Sequence, residues 1–226
     1  QLRLKVMLEE DYKPLFLSDI KKAKQDVFAT TVDYYFPGDL AQLVLKTSFY
    51  DTSILSHDQV RIIDSWIDED MSGFGTKLLY RASRDGRQAS NFHDKCDNQG
   101  PTITVIRSTG GYIFGGFCDT PWSCEGRYKA SPKAFTFTIK CCSGLGPTKM
   151  KLKQNKMEEA VYHRSDYGPS FGDDIDVFYT VNSISKSHTN VGRYYELPPG
   201  QEGDTFLTGS RYFDVSEVEV FRVHQD

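Results

Sequence analysis

The stretch KLLYRASRDG (77–86), RQASNFHDKCDNQG (87–100), PTITVIRSTGGYIFGGFCDTPW (101–122) and, after a loop, KAFTFTIK (133–140) decides the fold. Ala89, Phe92, His93 and Cys96 recur at the spacing that lines side chains along one face of a helix. Asp85 is the expected N-cap, because its carboxylate can accept from the open N–H groups of a first turn. Asn98 and Gly100 suit the helix exit. Next, Ile103, Val105 and Arg107 oppose Thr102, Thr104 and Ile106, and Gly110-Gly111 turns the chain into Tyr112–Cys118. That pattern predicts a hairpin. Phe135, Phe137 and Ile139 then alternate with Thr136, Thr138 and Lys140, which predicts a half-buried strand.

Working outward, Ser56-x-x-Gln59 is a capping box, followed by an apolar stripe of Val60, Ile63 and Ile67 with Ile62 and Trp66. This helix should end near Asp68, and Gly73 and Gly75 lead into a strand over Leu78–Ala82. Residues 119–133 read as a loop rich in Pro, Gly, Ser and charge. Residues 142–170 are irregular, with short strands expected near Met150–Lys153 and Ala160–Tyr162. Alternation marks a strand through Ile175, Val177, Tyr179 and Val181, another near Tyr194-Tyr195, and a last one where Val218 and Val220 alternate with Glu217, Glu219 and Phe221. Many short strands with turn signals and few helices predict an α+β fold, a two-sheet antiparallel β-sandwich flanked by helices. At the other end, Ser18 caps an expected helix with Ile20, Ala23, Val27 and Phe28 on one face, and Leu40, Leu43 and Val44 suggest a further turn. Residues 1–46 are thus a helical N-terminal lead-in or the tail of a preceding region, and 47–226 the main domain.

Composition narrows the function. A 38% hydrophobic, 13% aromatic chain of 226 residues can fill a core. A net charge of −4 gives no electrostatic attraction to nucleic acid. No run approaches the roughly 20 apolar residues of a membrane span, so no direct membrane insertion is expected. The first residue is Gln1, which suggests a fragment or processed form. Five cysteines at irregular spacing, without an Asn-x-Ser/Thr sequon, point to a reducing, intracellular compartment.

LLYRASRDG, FHDKCD, GPTITVIRSTGGYIFGGF, Trp122 and AFTF resemble the TLDc domain, the module of the oxidation-resistance protein family. The resemblance extends downstream through FGDDIDV and SEVEVF and upstream through ILSHDQVRIIDSWI, covering roughly Thr47 to Val223. An ordered string of motifs is far more specific than a lone one. The resemblance implies a two-sheet sandwich flanked by helices, protection against oxidative stress and, for several members, association with the peripheral subunits of the vacuolar proton pump (V-ATPase). It implies a cytoplasmic domain, held at the cytoplasmic face of organelle membranes through a partner.

The residues themselves offer few chemical constellations. His93-x-x-Cys96 places an imidazole and a thiol one turn apart, the start of a zinc site or a reactive pair. The same residues on an apolar face also fit a packed histidine and a buried thiol, and no second ligand pair stands at metal spacing. Cys141-Cys142 follows a strand, so neighbouring thiols point to opposite faces and one should be exposed. Lys140 is the nearest cation that could activate one. Asp173, Asp174 and Asp176 lack calcium-loop spacing, and the first two are expected to bond their local turn. Gly115-Gly116 suggests a bulge or a close contact beneath Trp122. Ser83, Asp85 and His93 have no nucleophile elbow. No catalytic residue, metal or cofactor is expected.

The leading expectation is a non-enzymatic interaction module. Its surface candidates are Trp122, Glu125 and Arg127 in the Asp119–Lys133 loop, Asp173 and Asp174 in the 166–174 loop, and an acidic edge at Glu217 and Glu219. The alternatives are a weak thiol-dependent redox enzyme using His93, Cys96, Cys141 or Cys142, and a structural component of a larger assembly anchored by residues 1–46.

Overall fold

A computed structural model describes residues 49, 51–69, 73–178 and 187–225, which belong to one unit of the chain, Ser48–Asp226. The helices expected within residues 1–46 and the strand positions Tyr179 and Val181 lie outside the described residues.

Helix α1 (His57–Asp68) begins as its capping box dictates: Gln59 N–H donates to Ser56 Oγ, and the Gln59 side chain accepts from Ser56 N–H. Its stripe buries Val60, Ile63 and Ile67, each worth about 1.5–3 kcal/mol when removed from water. Strand β1 (Phe74–Arg81) runs into a single helical turn, α2 (Ala82–Asp85), and then α3 (Ala89–Cys96). The N-cap of α3 is Gln88, with Asn91 closing the box, and not Asp85. Asp85 instead accepts from Arg81 N–H and pairs with Arg84, because α2 interposes its own turn. Asn98, at φ 59°, takes the left-handed exit.

Strands β2 (Thr102–Ser108) and β3 (Ile113–Cys118) form the expected hairpin. They are followed by β4 (Arg127–Lys129), β5 (Phe135–Lys140), β6 (Thr148–Lys151), a 3₁₀ turn (Gln154–Glu159), β7 (Val161–His163), β8 (Ser170–Phe171), β9 (Ile175–Asp176), β10 (Ser187–Thr189), β11 (Tyr212–Phe213) and β12 (Val215–Gln225). One layer is a six-stranded antiparallel sheet in the order β1-β12-β2-β3-β5-β6. The opposing layer is built from the short sheet β11-β10-β9-β8 and the pair β4-β7. The described residues therefore form an α+β antiparallel sandwich, and the loop expected over 119–133 contains strand β4.

The large sheet is buried on both faces. Ile103, Val105, Phe117, Phe135, Phe137 and Phe221 face α1 with Val60, Ile63 and Ile67. Ile106, Phe114, Val218 and Val220 face the second layer, against Phe171, Ile175, Phe206 and Phe213. This corrects the half-buried expectation for β5: Thr136 and Thr138 are as buried as the phenylalanines between them. A row of small residues, Thr104, Gly116 and Thr136, lies side by side across β2, β3 and β5. A Cβ on Gly116 would stand 2.6 Å from the Phe171 ring, so Phe171, not Trp122, occupies this floor.

The acidic edge does not exist. Strand β12 is an inner strand, paired on both sides with β1 and β2, and Glu217 and Glu219 are buried. Glu219 accepts from Thr52 Oγ1 (2.6 Å), Ser53 N and Oγ (each 2.8 Å) and Arg81 Nε (2.8 Å). Glu217 accepts from Ser83 N–H at 3.0 Å. Alternation puts their side chains on one face, where the turn at 51–55 covers Glu219 and Ser83 of α2 covers Glu217.

Candidate functional site

Strands β4 and β7 pair Arg127 with His163, Tyr128 with Tyr162 and Lys129 with Val161. That short ladder joins the two loops expected to carry a surface. On it Tyr128 stands between Tyr162 (ring centroids 4.6 Å) and Tyr194 (5.8 Å). The rings continue through Tyr162–Tyr167 (6.1 Å), Tyr167–Phe178 (4.1 Å), Phe178–His188 (5.8 Å) and His188–Tyr212 (6.3 Å). The result is a continuous run of seven rings, of which Tyr128 at 38% and Tyr212 at 56% are open to solvent and Tyr194 at one end is buried. Cations flank it: Lys156 Nζ lies 4.6 Å from the Tyr194 ring, Arg164 4.7 Å from Tyr167 and Arg211 5.9 Å from Tyr212. Burial and the Tyr194 hydroxyl hold the Tyr128 phenol above its ordinary pKa, so it stays a neutral hydrogen-bonding ring. At one end Glu125 pairs with Lys129 and Arg127, which pull its carboxylate down to about 2.

Next to these rings, where His93 reaches Tyr167 O, lies a polar cluster at the end of α3. His93 Nδ1 faces Asp97 Oδ1 at 2.8 Å, and Cys124 Sγ approaches Asp97 Oδ2 at 3.3 Å. Burial and the Asp97 carboxylate push the Cys124 thiol up to about 11. Trp122 lies against Phe92 and His163 and donates its indole N–H to Thr102 Oγ1 at 2.8 Å. Burial drives His163 down to about 4, leaving a neutral imidazole. Its Nδ1 is 2.9 Å from Ser123 Oγ, which also reaches Glu125 Oε1 at 3.1 Å.

The structure separates the sequence candidates. Glu125 and Arg127 are exposed and Asp173 is half-buried. Trp122 and Asp174 are buried, so neither belongs to a surface. Asp174 accepts from the N–H groups of Gly192, Arg193, Tyr194 and Tyr195 at 2.9–3.1 Å. It anchors a distant loop, not its own turn. Asp173 pairs with Arg193. Among the thiols, Cys96 is fully buried and pushed far up by burial, away from the reactive thiolate. Cys141 is buried and Cys142 exposed, and all five cysteines are free. Ser83, Asp85 and His93 do not assemble, since His93 pairs with Asp97 and Asp85 with Arg84. The aromatic ridge was not read from sequence: its rings come from β4, β7, β10, β11 and three loops. The only early signal was 13 tyrosines in the chain, which carries no positions.

Fold and site together define a helix-flanked antiparallel β-sandwich module that presents an aromatic ridge. The family model of the TLDc domain matches residues 48–224, and the chain belongs to that family. Relatives include the MTOR-associated protein MEAK7 of Danio rerio, 26% identical over 86 residues, covering 35% of this chain and 19% of that protein. TBC1 domain family member 24 of Xenopus tropicalis is 30% identical over 99 residues, covering 44% of this chain and 17% of that protein. The chain thus matches under a fifth of the length of these relatives.

Proposed function

We propose that this TLDc module is a non-enzymatic docking domain that works through its aromatic ridge. It serves oxidative-stress protection by binding the peripheral subunits of the vacuolar proton pump. The observation that carries the docking reading is the run of rings that includes solvent-exposed Tyr128 and Tyr212, bordered by Arg164 and Arg211. Tyr and Arg are the residue types in which binding energy concentrates, because a rigid amphipathic ring or a planar guanidinium loses little entropy on contact. The pump as partner, and the place at the cytoplasmic face of an organelle membrane, rest on the TLDc resemblance. No helix among the described residues is long and apolar enough to cross a membrane, so a partner would supply that location. An association with mTOR, which MEAK7 carries in its name, is a second route by which a shared fold could bind.

The test is direct association of the purified chain with the purified peripheral sector of the pump, measured by surface-immobilised binding. Association that the Tyr128→Ser/Tyr212→Ser variant weakens at least about 10-fold, with unchanged thermal unfolding, supports the proposal. An unaffected variant removes the ridge from the reading. No association of the wild type removes the pump. Peroxide consumption that depends on Cys142 would favour the thiol-enzyme alternative.

A further inference from the structure

We infer that His93 Nδ1, the Asp97 carboxylate and Cys124 Sγ form a binding site for a zinc-type divalent ion, with one coordination position open to solvent. The two ring nitrogens of His93 face different partners. Nε2 lies 3.0 Å from Arg164 O and 3.1 Å from Tyr167 O. Carbonyl oxygens only accept, so Nε2 carries the ring proton. Nδ1 then presents a lone pair to Asp97 Oδ1 at 2.8 Å. Two acceptors face each other there, and that arrangement requires a cation between them, a second proton or a metal ion. A histidine whose far nitrogen donates to backbone carbonyl is also the usual orientation of a metal-ligating imidazole.

The third donor is delivered by backbone. Asn98 N–H donates to Trp122 O at 3.0 Å, and Asp97 and Trp122 form a bridge. Cys124, two residues on, is thereby set 3.3 Å from Asp97 Oδ2. His93 and Asp97 stand one turn apart at the end of α3, so they share a face. The three donor atoms lie within 4.8 Å of one another. A tetrahedral ion with bonds of about 2.0–2.3 Å spaces its ligands about 3.3–3.7 Å apart, within reach of small side-chain rotations. Nitrogen, carboxylate and thiol donors together suit zinc and disfavour magnesium or calcium. Cys124 is exposed and Asp97 half-buried, which gives an ion a route in and leaves the fourth position to water. Cys96, the thiol that sequence spacing pairs with His93, sits in the core with Phe92 instead. A second convergence, Asp173, Asp176 and His188, is a poorer site: the Arg193 guanidinium already pairs with Asp173 and would repel a further cation.

The test titrates the metal-stripped full chain with Co²⁺, an optical stand-in for Zn²⁺. One equivalent should produce the charge-transfer absorption of a cobalt–thiolate bond, and Zn²⁺ should abolish it by displacement. Replacing His93 would disturb folding, since it is buried and holds two carbonyls, so the exposed Cys124 carries the experiment. Cys124→Ser should lose the band and bind Zn²⁺ at least about 10-fold more weakly. Cys142→Ser, at the other exposed cysteine, should retain both. A folded wild type without the band would mean that a proton alone bridges His93 and Asp97. Such a result, persistence of the band in Cys124→Ser, or its loss in Cys142→Ser would each overturn the site.

Discussion

Two buried carboxylates illustrate how much a single residue can carry. Glu219 sits on an inner strand of the large sheet with a guanidinium, two hydroxyls and a backbone N–H converging on it. Glu219→Ala leaves those donors without their shared acceptor and the half-buried charge of Arg81 with Asp51 as its remaining partner. It should cost about 3–5 kcal/mol, read from the urea midpoint. Asp176 is the opposite case. Burial raises its carboxyl to about 7, against the lowering effect of the Ser170 hydroxyl and with the help of nearby Asp174. Because the folded value exceeds the unfolded value of about 3.9, the native state binds the extra proton. The contribution to stability is full below the unfolded value and is lost as pH rises through about 7. The groups facing this carboxyl are the Ser170 hydroxyl, Asp174 and His188, whose Nε2 is 3.2 Å from Oδ2. Asp176→Asn should flatten the fall in urea midpoint between pH 5 and 8, where the wild type loses up to about 1.4 kcal/mol per pH unit from this group. Parallel profiles would show that Asp176 ionises at an ordinary carboxylate value.

At the level of the element, the β2–β3 hairpin depends on its paired glycines for different reasons. A Cβ at Gly115 would overlap the carbonyl oxygen of Thr104 on the neighbouring strand, and a backbone atom in a ladder cannot step aside. Gly146 has nothing within 4 Å of the same position. Gly115→Ala should therefore lower stability by more than about 3 kcal/mol, while Gly146→Ala stays near wild type in thermal unfolding; equal effects would discard the packing argument. This hairpin, the α1 capping box and the buried face of α3 were legible in sequence because each is set by residues within one short window. The second layer was legible only in part: strands from Ile175 and over Ala160–Tyr162 were expected, but two-residue strands such as Ser170–Phe171 and Tyr212–Phe213 are too short to show a period. Without that layer Thr136 and Thr138 read as wet, and without the covering turn at 51–55 and Ser83 of α2, Glu219 and Glu217 read as an edge. The candidate metal ligands were half legible: His93 stood out by its spacing, but Cys124 reaches Asp97 only through a bridge between residues far apart in sequence.

Across the whole molecule, the five thiols report whether both cores close as described. Cys96 and Cys118 lie in the layer between the sheets, with Cys141 at its margin, whereas Cys124 and Cys142 are on the outside. Thiol chemistry requires both access and the thiolate. Burial raises Cys118 to about 12 as well as hiding it, and Cys96 is raised further still by the same cause. With an alkylating reagent at pH 8, the native chain should label at Cys124 and Cys142 only. Cys124 should label slowly, because a thiol held up to about 11 is ionised in roughly one molecule in a thousand at that pH. In urea the three buried thiols, Cys96, Cys118 and Cys141, should become reactive together, since the two cores share one sheet and open cooperatively. Mass spectrometry of the peptides reads the order. Fast native labelling of Cys96 would mean that α3 lifts from the sandwich under native conditions, exposing the His93–Cys96 pair on which the thiol-enzyme alternative rests. Protection of Cys96 up to the global unfolding transition would leave Cys142 as the exposed thiol available to that chemistry, and would place the activity of this domain on its surface.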